Sequence, residues 1–170
     1  ALLVSPDDEF LFSHTDCNDI NAVAVDGDTS WFGTDGGLVR WTQGQAGYTK
    51  FTTGYNGLVE NRVWGLAIAG DGSLWVATRD GVSVYDGADW TSYTTDDGLA
   101  TNDYWWASIA AGGHVWVAGS GGVSRFNGTS WTSYTTADGL SSNTAFSIGE
   151  DGTGNVWVGT SNGLSKYDGT

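Results

Sequence analysis

Apolar and polar residues alternate with a period of two along most of the chain, in short runs cut by Asp-Gly pairs. The stretch Val63 to Ile68, a turn at Asp71-Gly72, Leu74 to Thr78, a turn at Asp80-Gly81, Val82 to Tyr85, a turn at Asp86-Gly87 and Asp89 to Tyr93 shows the pattern at its clearest. A period of two places alternate side chains on opposite faces of an extended strand. Asp-Gly supplies the positive φ angles that tight hairpins require. The expectation is a small four-stranded antiparallel meander.

That unit recurs. A Trp-Val-Gly-Thr type block appears as Trp31-Phe32-Gly33-Thr34, Trp75-Val76-Ala77-Thr78, Trp116-Val117-Ala118-Gly119 and Trp157-Val158-Gly159-Thr160, with tryptophan spacings of 44, 41 and 41. Gly-Leu followed by Asn recurs as Gly57-Leu58 to Asn61, Gly98-Leu99 to Asn102 and Gly139-Leu140 to Asn143, each 41 residues from the next. One such sheet leaves both faces exposed, so neighbouring copies must stack, and four-stranded units of about 40 residues stack as propeller blades. The fold class read from this is all-β: about four blades in a single repeat domain over residues 1–170. The repeats run approximately 18–60, 61–101, 102–142 and 143–170, after an N-terminal segment 1–17. The tryptophans are expected to pack between blades.

The last unit ends at Tyr167-Asp168-Gly169-Thr170, without the strand that follows Phe126-Asn127-Gly128-Thr129 in the unit before it. Glu9-Phe10-Leu11-Phe12-Ser13 is an extended candidate for that missing strand. It would close the ring within the chain, or complete the blade of a neighbouring molecule and so build an oligomer or filament.

Composition narrows the function classes. Twenty-seven glycines, ten tryptophans and one proline fit short strands joined by tight turns. The formal charge of -14 repels nucleic-acid phosphates and anionic lipid head groups, so no nucleic-acid partner is expected. Nothing approaches the roughly 20 apolar residues of a membrane-spanning helix, so no membrane insertion is expected. The single cysteine, Cys17, forms no internal bridge.

At the repeated residues the sequence resembles the two-component regulator propeller repeat, whose units carry an Asp-Gly turn, Trp-Val-Gly-Thr, Gly-Leu-Ser-Arg-Tyr-Asp-Gly and a Gly-Leu-x-x-Asn link. Asp151 to Asn155, Trp157 to Thr160 and Gly163 to Gly169 match closely. The resemblance covers residues from about Asn18 to Gly169. It implies an extracellular or periplasmic bacterial location and a sensing or interaction role, with carbohydrate fragments among the ligands of the family.

In a propeller, the links from fourth strand to next first strand share one face with the turns between second and third strands. The positions three after each linking Asn read Asn21, Trp64, Trp105 and Phe146, and they vary on a constant scaffold. Trp64, Trp105 and Trp106 offer flat rings for stacking on a sugar or another apolar ligand; packing as a channel plug is the plainer role. Arg62 and Arg79 fall in loops of the same face, where a guanidinium pairs with a carboxylate or sulfate ligand or with Asp80, Asp97 or Asp103. Arg40, Arg125 and Lys166 share one repeat position and read as solvent-facing scaffold.

No catalytic constellation stands out, and no enzyme is expected. His14 and His114 lie in unrelated repeat positions, and Cys17 nears His14 only in sequence. No cofactor is expected either. Asp26-Gly27-Asp28 and Asp151-Gly152-Thr153-Gly154-Asn155 alternate oxygen ligands as a calcium loop does, but neither continues into the later bidentate Glu. Asn127-Gly128-Thr129 fits a glycosylation acceptor and also the plain turn found in the other repeats. The leading expectation is therefore a non-enzymatic exported module that binds or senses a small-molecule or carbohydrate ligand, or a partner protein. The alternative is a structural subunit of an extracellular filament or surface assembly joined by strand exchange.

Overall fold

The computed structural model describes residues 19–54 and 57–169. Among the described residues, fifteen strands form four separate antiparallel sheets, each in sequence order. Blade 1 holds β1 (Ile20–Asp26), β2 (Thr29–Thr34), β3 (Gly37–Thr42) and β4 (Thr49–Phe51). Blade 2 holds β5 (Val63–Ile68), β6 (Leu74–Thr78), β7 (Val82–Tyr85) and β8 (Trp90–Tyr93). Blade 3 holds β9 (Tyr104–Ile109), β10 (Val115–Gly119), β11 (Gly122–Phe126) and β12 (Trp131–Tyr134). Blade 4 holds β13 (Ala145–Glu150), β14 (Val156–Thr160) and β15 (Gly163–Tyr167). The first strands pack in series, β1 on β5, β5 on β9 and β9 on β13. The sheets therefore fan out from an axis as propeller blades do.

The four strands expected within Val63 to Tyr93 are present. The candidate strand Glu9 to Ser13 lies outside the described residues, as do His14 and Cys17. Among the described residues the fourth sheet has three strands.

Each blade sends alternate residues to opposite faces. In blade 2, Trp75 and Ala77 point forward to blade 3, where they cluster with Val82, Tyr104 and Val117. Leu74 and Val76 point back to blade 1, where they cluster with Trp31, Leu38, Phe51 and Val63. Trp116 and Val123 of blade 3 meet Ala145, Val156 and Val158 of blade 4 in the same way. The rim of each interface is aromatic. Trp75 packs with Tyr93 at 6.2 Å, Phe126 at 5.3 Å and Trp131 at 6.0 Å between ring centroids. Such pairs add about 0.5–1.5 kcal/mol each beyond the area they bury.

The Gly-Leu-x-x-Asn link has a mechanical reason. Leu58 and Leu99 are buried between blades. The side-chain oxygens of Asn61, Asn102 and Asn143 accept the backbone N–H of Thr53, Thr95 and Thr136 at 2.9, 2.8 and 2.7 Å. Ser83, Ser124 and Ser165 then accept the N–H of Val59, Ala100 and Ser141, tying each link to the following blade at 3.0, 3.0 and 2.9 Å. In two links the chain also makes a single 3-10 turn, Thr95–Asp97 and Thr136–Asp138. Thr94 and Asp97, and likewise Thr135 and Asp138, form capping boxes. Thr94 and Thr135, each just after a fourth strand, are therefore helix caps, because Asp stands three residues later.

Arg40 and Arg125 differ from the expectation of plain solvent-facing scaffold. They are cross-strand partners of Trp31 and Trp116, and their guanidinium carbons lie 5.6 and 5.9 Å from those rings. Both are half-buried. Arg125 also donates to the Tyr167 hydroxyl at 2.7 Å, bridging blades 3 and 4.

Candidate functional site

The axis end reached by the blade links carries the variable residues, and the register explains why they stand apart. In every blade the pairing of the first strand with the second skips one residue. The skipped residues are Asn21, Trp64, Trp105 and Phe146. Each is thus the extra residue of a β-bulge, which takes it out of the in–out alternation and re-aims its side chain. The sequence singled out these positions by their variation; the bulge itself leaves no residue-type signal, since Asn, Trp and Phe all occupy it.

Two bulge side chains reach the next blade in the same manner. Asn21 Nδ2 donates to the Val63 carbonyl at 3.1 Å, and Trp105 Nε1 donates to the Ala145 carbonyl at 2.7 Å. Trp64 departs from this, and its Nε1 is buried without a hydrogen-bond partner. Its ring is held instead by guanidinium groups, Arg62 at 5.6 Å and Arg79 at 5.0 Å.

Both arginines are paired to carboxylates. Arg79 Nε lies 3.4 Å from Asp103 Oδ1, one of the partners expected from sequence. Arg62 Nη2 instead donates to Asp35 Oδ2 at 2.8 Å. Asp35 sits in the β2–β3 turn of blade 1, and sequence reasoning missed it because 27 residues separate the pair. Asn21 Nδ2 also donates to Asp35 Oδ1 at 3.0 Å. Hydrogen bonding from Asn21, then the Arg62 guanidinium, holds the Asp35 carboxyl below the usual carboxylate range. A polar chain thus runs from Asn21 and Asp35 in blade 1 through Arg62, Trp64 and Arg79 in blade 2 to Asp103 in blade 3.

Further along, the site is aromatic. Trp105 stacks on Phe146 with centroids 6.1 Å apart and an interplanar angle of 23°. Trp106 and Phe146 are exposed, whereas Trp105 is half-buried. The structure therefore separates the expected residues into a neutralised cationic half and an open aromatic half.

The two turns compared with calcium loops lie at the opposite end of the blades. Asp151 accepts from Thr153 Oγ1 at 2.6 Å, Asn155 Nδ2 at 2.8 Å and Trp157 Nε1 at 2.8 Å. These donors hold its carboxyl far below the usual range, and they engage both carboxylate oxygens within the turn. Asn127 Oδ1 accepts the N–H groups of Thr129 and Ser130, each at 2.9 Å, the turn chemistry that Asp86 performs in blade 2. Among the described residues no group of three or more His, Cys, Asp or Glu converges as a metal site, and no helix is long and apolar enough to cross a membrane.

Comparison with known proteins agrees with this geometry. Residues 57–80 and 139–162 match the two component regulator propeller family. No curated protein matches the chain. Among solved structures, the extracellular domain of a putative hybrid two-component system from B. thetaiotaomicron superposes with a TM-score of 0.80 at 23% identity, covering 88% of this chain and 22% of its own. PorZ, an essential surface component of the type-IX secretion system of Porphyromonas gingivalis, gives 0.66 at 24%, covering 89% and 24%. An ancestral GH74 enzyme gives 0.70 at 16%, covering 88% and 23%. The chain spans less than a quarter of each of these structures, and at such identities the likeness is one of fold. The chain is a run of four β-propeller blades, and parts of it match the two component regulator propeller family.

Proposed function

We propose that this chain is a non-enzymatic binding or sensing module of a bacterial cell exterior, taking a ring-bearing ligand such as a carbohydrate fragment against Trp105, Trp106 and Phe146. The observation that carries this reading is the bulge at one register in all four blades, which lifts residues of varied type out of a constant scaffold. Arg62 and Arg79 act by bracing Trp64, and their partly exposed outer edges offer N–H donors to a ligand carboxylate or hydroxyl. The family match and the extracellular neighbours support an exported location and a role in recognition. The non-enzymatic reading rests on the same residues, since aromatic rings and neutralised arginines bind without supplying a nucleophile or a general acid–base pair.

The test is titration with a panel of neutral and acidic oligosaccharides, followed by tryptophan fluorescence and calorimetry. Saturable binding should weaken about tenfold in Trp106→Ala, matching the roughly 1.5 kcal/mol upper range of one aromatic contact. Absence of binding at millimolar concentration across the panel overturns the carbohydrate reading.

A further inference from the structure

Asn-Gly pairs occur in the chain as Asn56-Gly57, Asn127-Gly128 and Asn162-Gly163. In such a pair the glycine nitrogen can close a five-membered ring on the asparagine carboxamide carbon, and the missing side chain leaves its approach open. Asn56 lies outside the described residues. Asn127 and Asn162 are both exposed, and their turns hold them differently. Asn127 and Gly128 join β11 to β12 and belong to neither strand. Asn127 Oδ1 accepts the N–H groups of Thr129 and Ser130, each at 2.9 Å, so two donors polarise its carbonyl. No hydrogen bond among the described residues takes up Asn127 Nδ2. At Asn162 the nitrogen is the tied atom, since Nδ2 donates to the Ser141 carbonyl at 3.3 Å. Gly163 is also held there, as the residue of β15 that pairs with Thr160.

We infer that Asn127 is a site of spontaneous deamidation, promoted by the turn that holds it. The Gly128 nitrogen loses its proton and bonds to Asn127 Cγ. The carbonyl electron pair moves onto Oδ1, where the Thr129 and Ser130 N–H groups stabilise the developing charge as an oxyanion hole does. Nδ2 takes up a proton and leaves as ammonia, which closes a succinimide. One water molecule then adds its hydroxyl to the ring carbonyl carbon, the carbon–nitrogen bond breaks, and the proton returns to the Gly128 nitrogen. The sum is carboxamide plus water giving carboxylic acid plus ammonia, with nothing oxidised or reduced. The acid ionises at neutral pH, so the formal charge of -14 gains one negative unit.

Blade 2 shows that the product fits. Asp86 holds the position of Asn127 and accepts the N–H groups of Ala88 and Asp89, also two and three residues on, at 2.8 and 2.7 Å. Those donors hold the Asp86 carboxyl below its usual range, so a turn of this shape favours a carboxylate. Deamidation with the backbone intact therefore converts the blade 3 turn into the blade 2 turn. Opening the succinimide at its other carbonyl gives isoaspartate, which adds one atom to the backbone. That atom falls inside the ring closed by the Asn127 N–H and the Ser130 carbonyl at 3.2 Å, so the folded turn favours the aspartate. The turn lies at the end of the blade opposite the blade links, and the candidate site is left unchanged.

The test is incubation of the full chain in mildly alkaline buffer, folded and in urea, with the amide-to-acid mass gain located by fragment mass spectrometry. In the folded chain Asn127 should convert faster than Asn162 by about tenfold. That is less than the roughly 10²–10³ supplied by a buried oxyanion donor, because this turn is exposed. In urea the two rates should come together. Asn127→Asp should keep the native circular dichroism spectrum and melt no lower than the native chain. The inference is overturned if Asn127 stays intact in the folded chain over a period in which both sites convert in urea. It is overturned equally by a rate ratio that is the same in urea, which makes the reaction a property of the dipeptide alone. An Asn127→Asp chain that melts well below the native one overturns the fit of the product.

Discussion

Leu38 and Leu164 are the same residue at the same position of the repeat, and they meet opposite surroundings. Leu38 stands on β3 opposite Gly33, packed under Val63 and Val76 of the next blade. Leu164 stands on β15 opposite Gly159, with no following blade among the described residues, and is exposed. The contrast shows that a blade has little core of its own. Its sheet is made by local pairing, but its apolar residues are buried by the neighbour, as the one-dimensional logic of repeat proteins requires. The comparison is broken most directly by truncating both leucines. Leu38→Ala should cost about 2–5 kcal/mol in urea unfolding, the usual range for a large-to-small change in a packed core. Leu164→Ala should stay within about 0.5 kcal/mol, as exposed substitutions do. Equal losses at the two positions would mean that Leu164 is covered as Leu38 is.

A glycine pair sharpens the same comparison on the backbone. Gly81 and Gly163 both follow the turn between second and third strands, with φ of +134° and +107°. A Cβ at Gly81 would overlap the carbonyl oxygen of Tyr93 on the fourth strand, whereas one at Gly163 meets nothing within 4 Å. Gly163→Ala should therefore cost only its left-handed backbone strain, about 1 kcal/mol, and Gly81→Ala about 3 kcal/mol or more, because β7 and β8 must also separate. Thermal melts of the two variants check this. The gap between them measures what the fourth strand contributes to a blade.

Much of this architecture was legible from residue spacing. The 41-residue recurrence of Trp-Val-Gly-Thr and Gly-Leu-x-x-Asn gave the blades, and period-two alternation gave four strands within Val63 to Tyr93. Alternation reports which faces are apolar, however, and not whether a neighbour covers them. Trp157 read like Trp31, Trp75 and Trp116, yet only the other three are buried. The candidate site was legible in part. Asn21, Trp64, Trp105 and Phe146 drew notice because they vary, but the bulge that frees them is a matter of register between strands. The Arg62–Asp35 pair joins two blades, and nothing in either residue's neighbours along the chain announces a contact across 27 positions.

Inside the blade 2–blade 3 interface one polar group is also buried. The Tyr104 hydroxyl sits 2.7 Å from Ser124 Oγ, which in turn lies 2.8 Å from Ser133 Oγ and accepts the Ala100 N–H. Burial pushes the Tyr104 hydroxyl above its ordinary titration range, so it stays a neutral donor. Tyr104→Phe removes one member while Ser124 keeps its other partners. A loss of about 1 kcal/mol in urea unfolding is expected, smaller than the leucine or glycine effect inside the chain. The corresponding residue of blade 1 is the exposed Ile20, which makes no such bond, so Ile20→Val should leave stability unchanged.

The smallest expected effect separates the ends by pH. Asp71 in blade 2 and Asp151 in blade 4 each organise the turn between first and second strands, and both carboxyls are held below their ordinary value of 3.8 by donors within the turn. Asp71 reaches its tryptophan indirectly, through the Ser73 hydroxyl that accepts from Trp75 Nε1 at 3.2 Å. Asp151 accepts from Trp157 Nε1 directly. A carboxyl depressed in the folded state contributes stability that is complete above its unfolded value and is lost as pH falls toward the folded one. At neutral pH, Asp151→Ala should melt below the native chain. The gap should narrow progressively below about pH 4, as the native carboxyl loses the advantage of its donors. Asp71→Ala should show the same sign, but with a remainder that persists in acid, because Ser73 loses an orienting partner while Trp75 stays buried between blades. Parallel melting curves for native and Asp151→Ala chains across the acid range would show that the turn hydrogen bonds around Asp151 add nothing to the folded state.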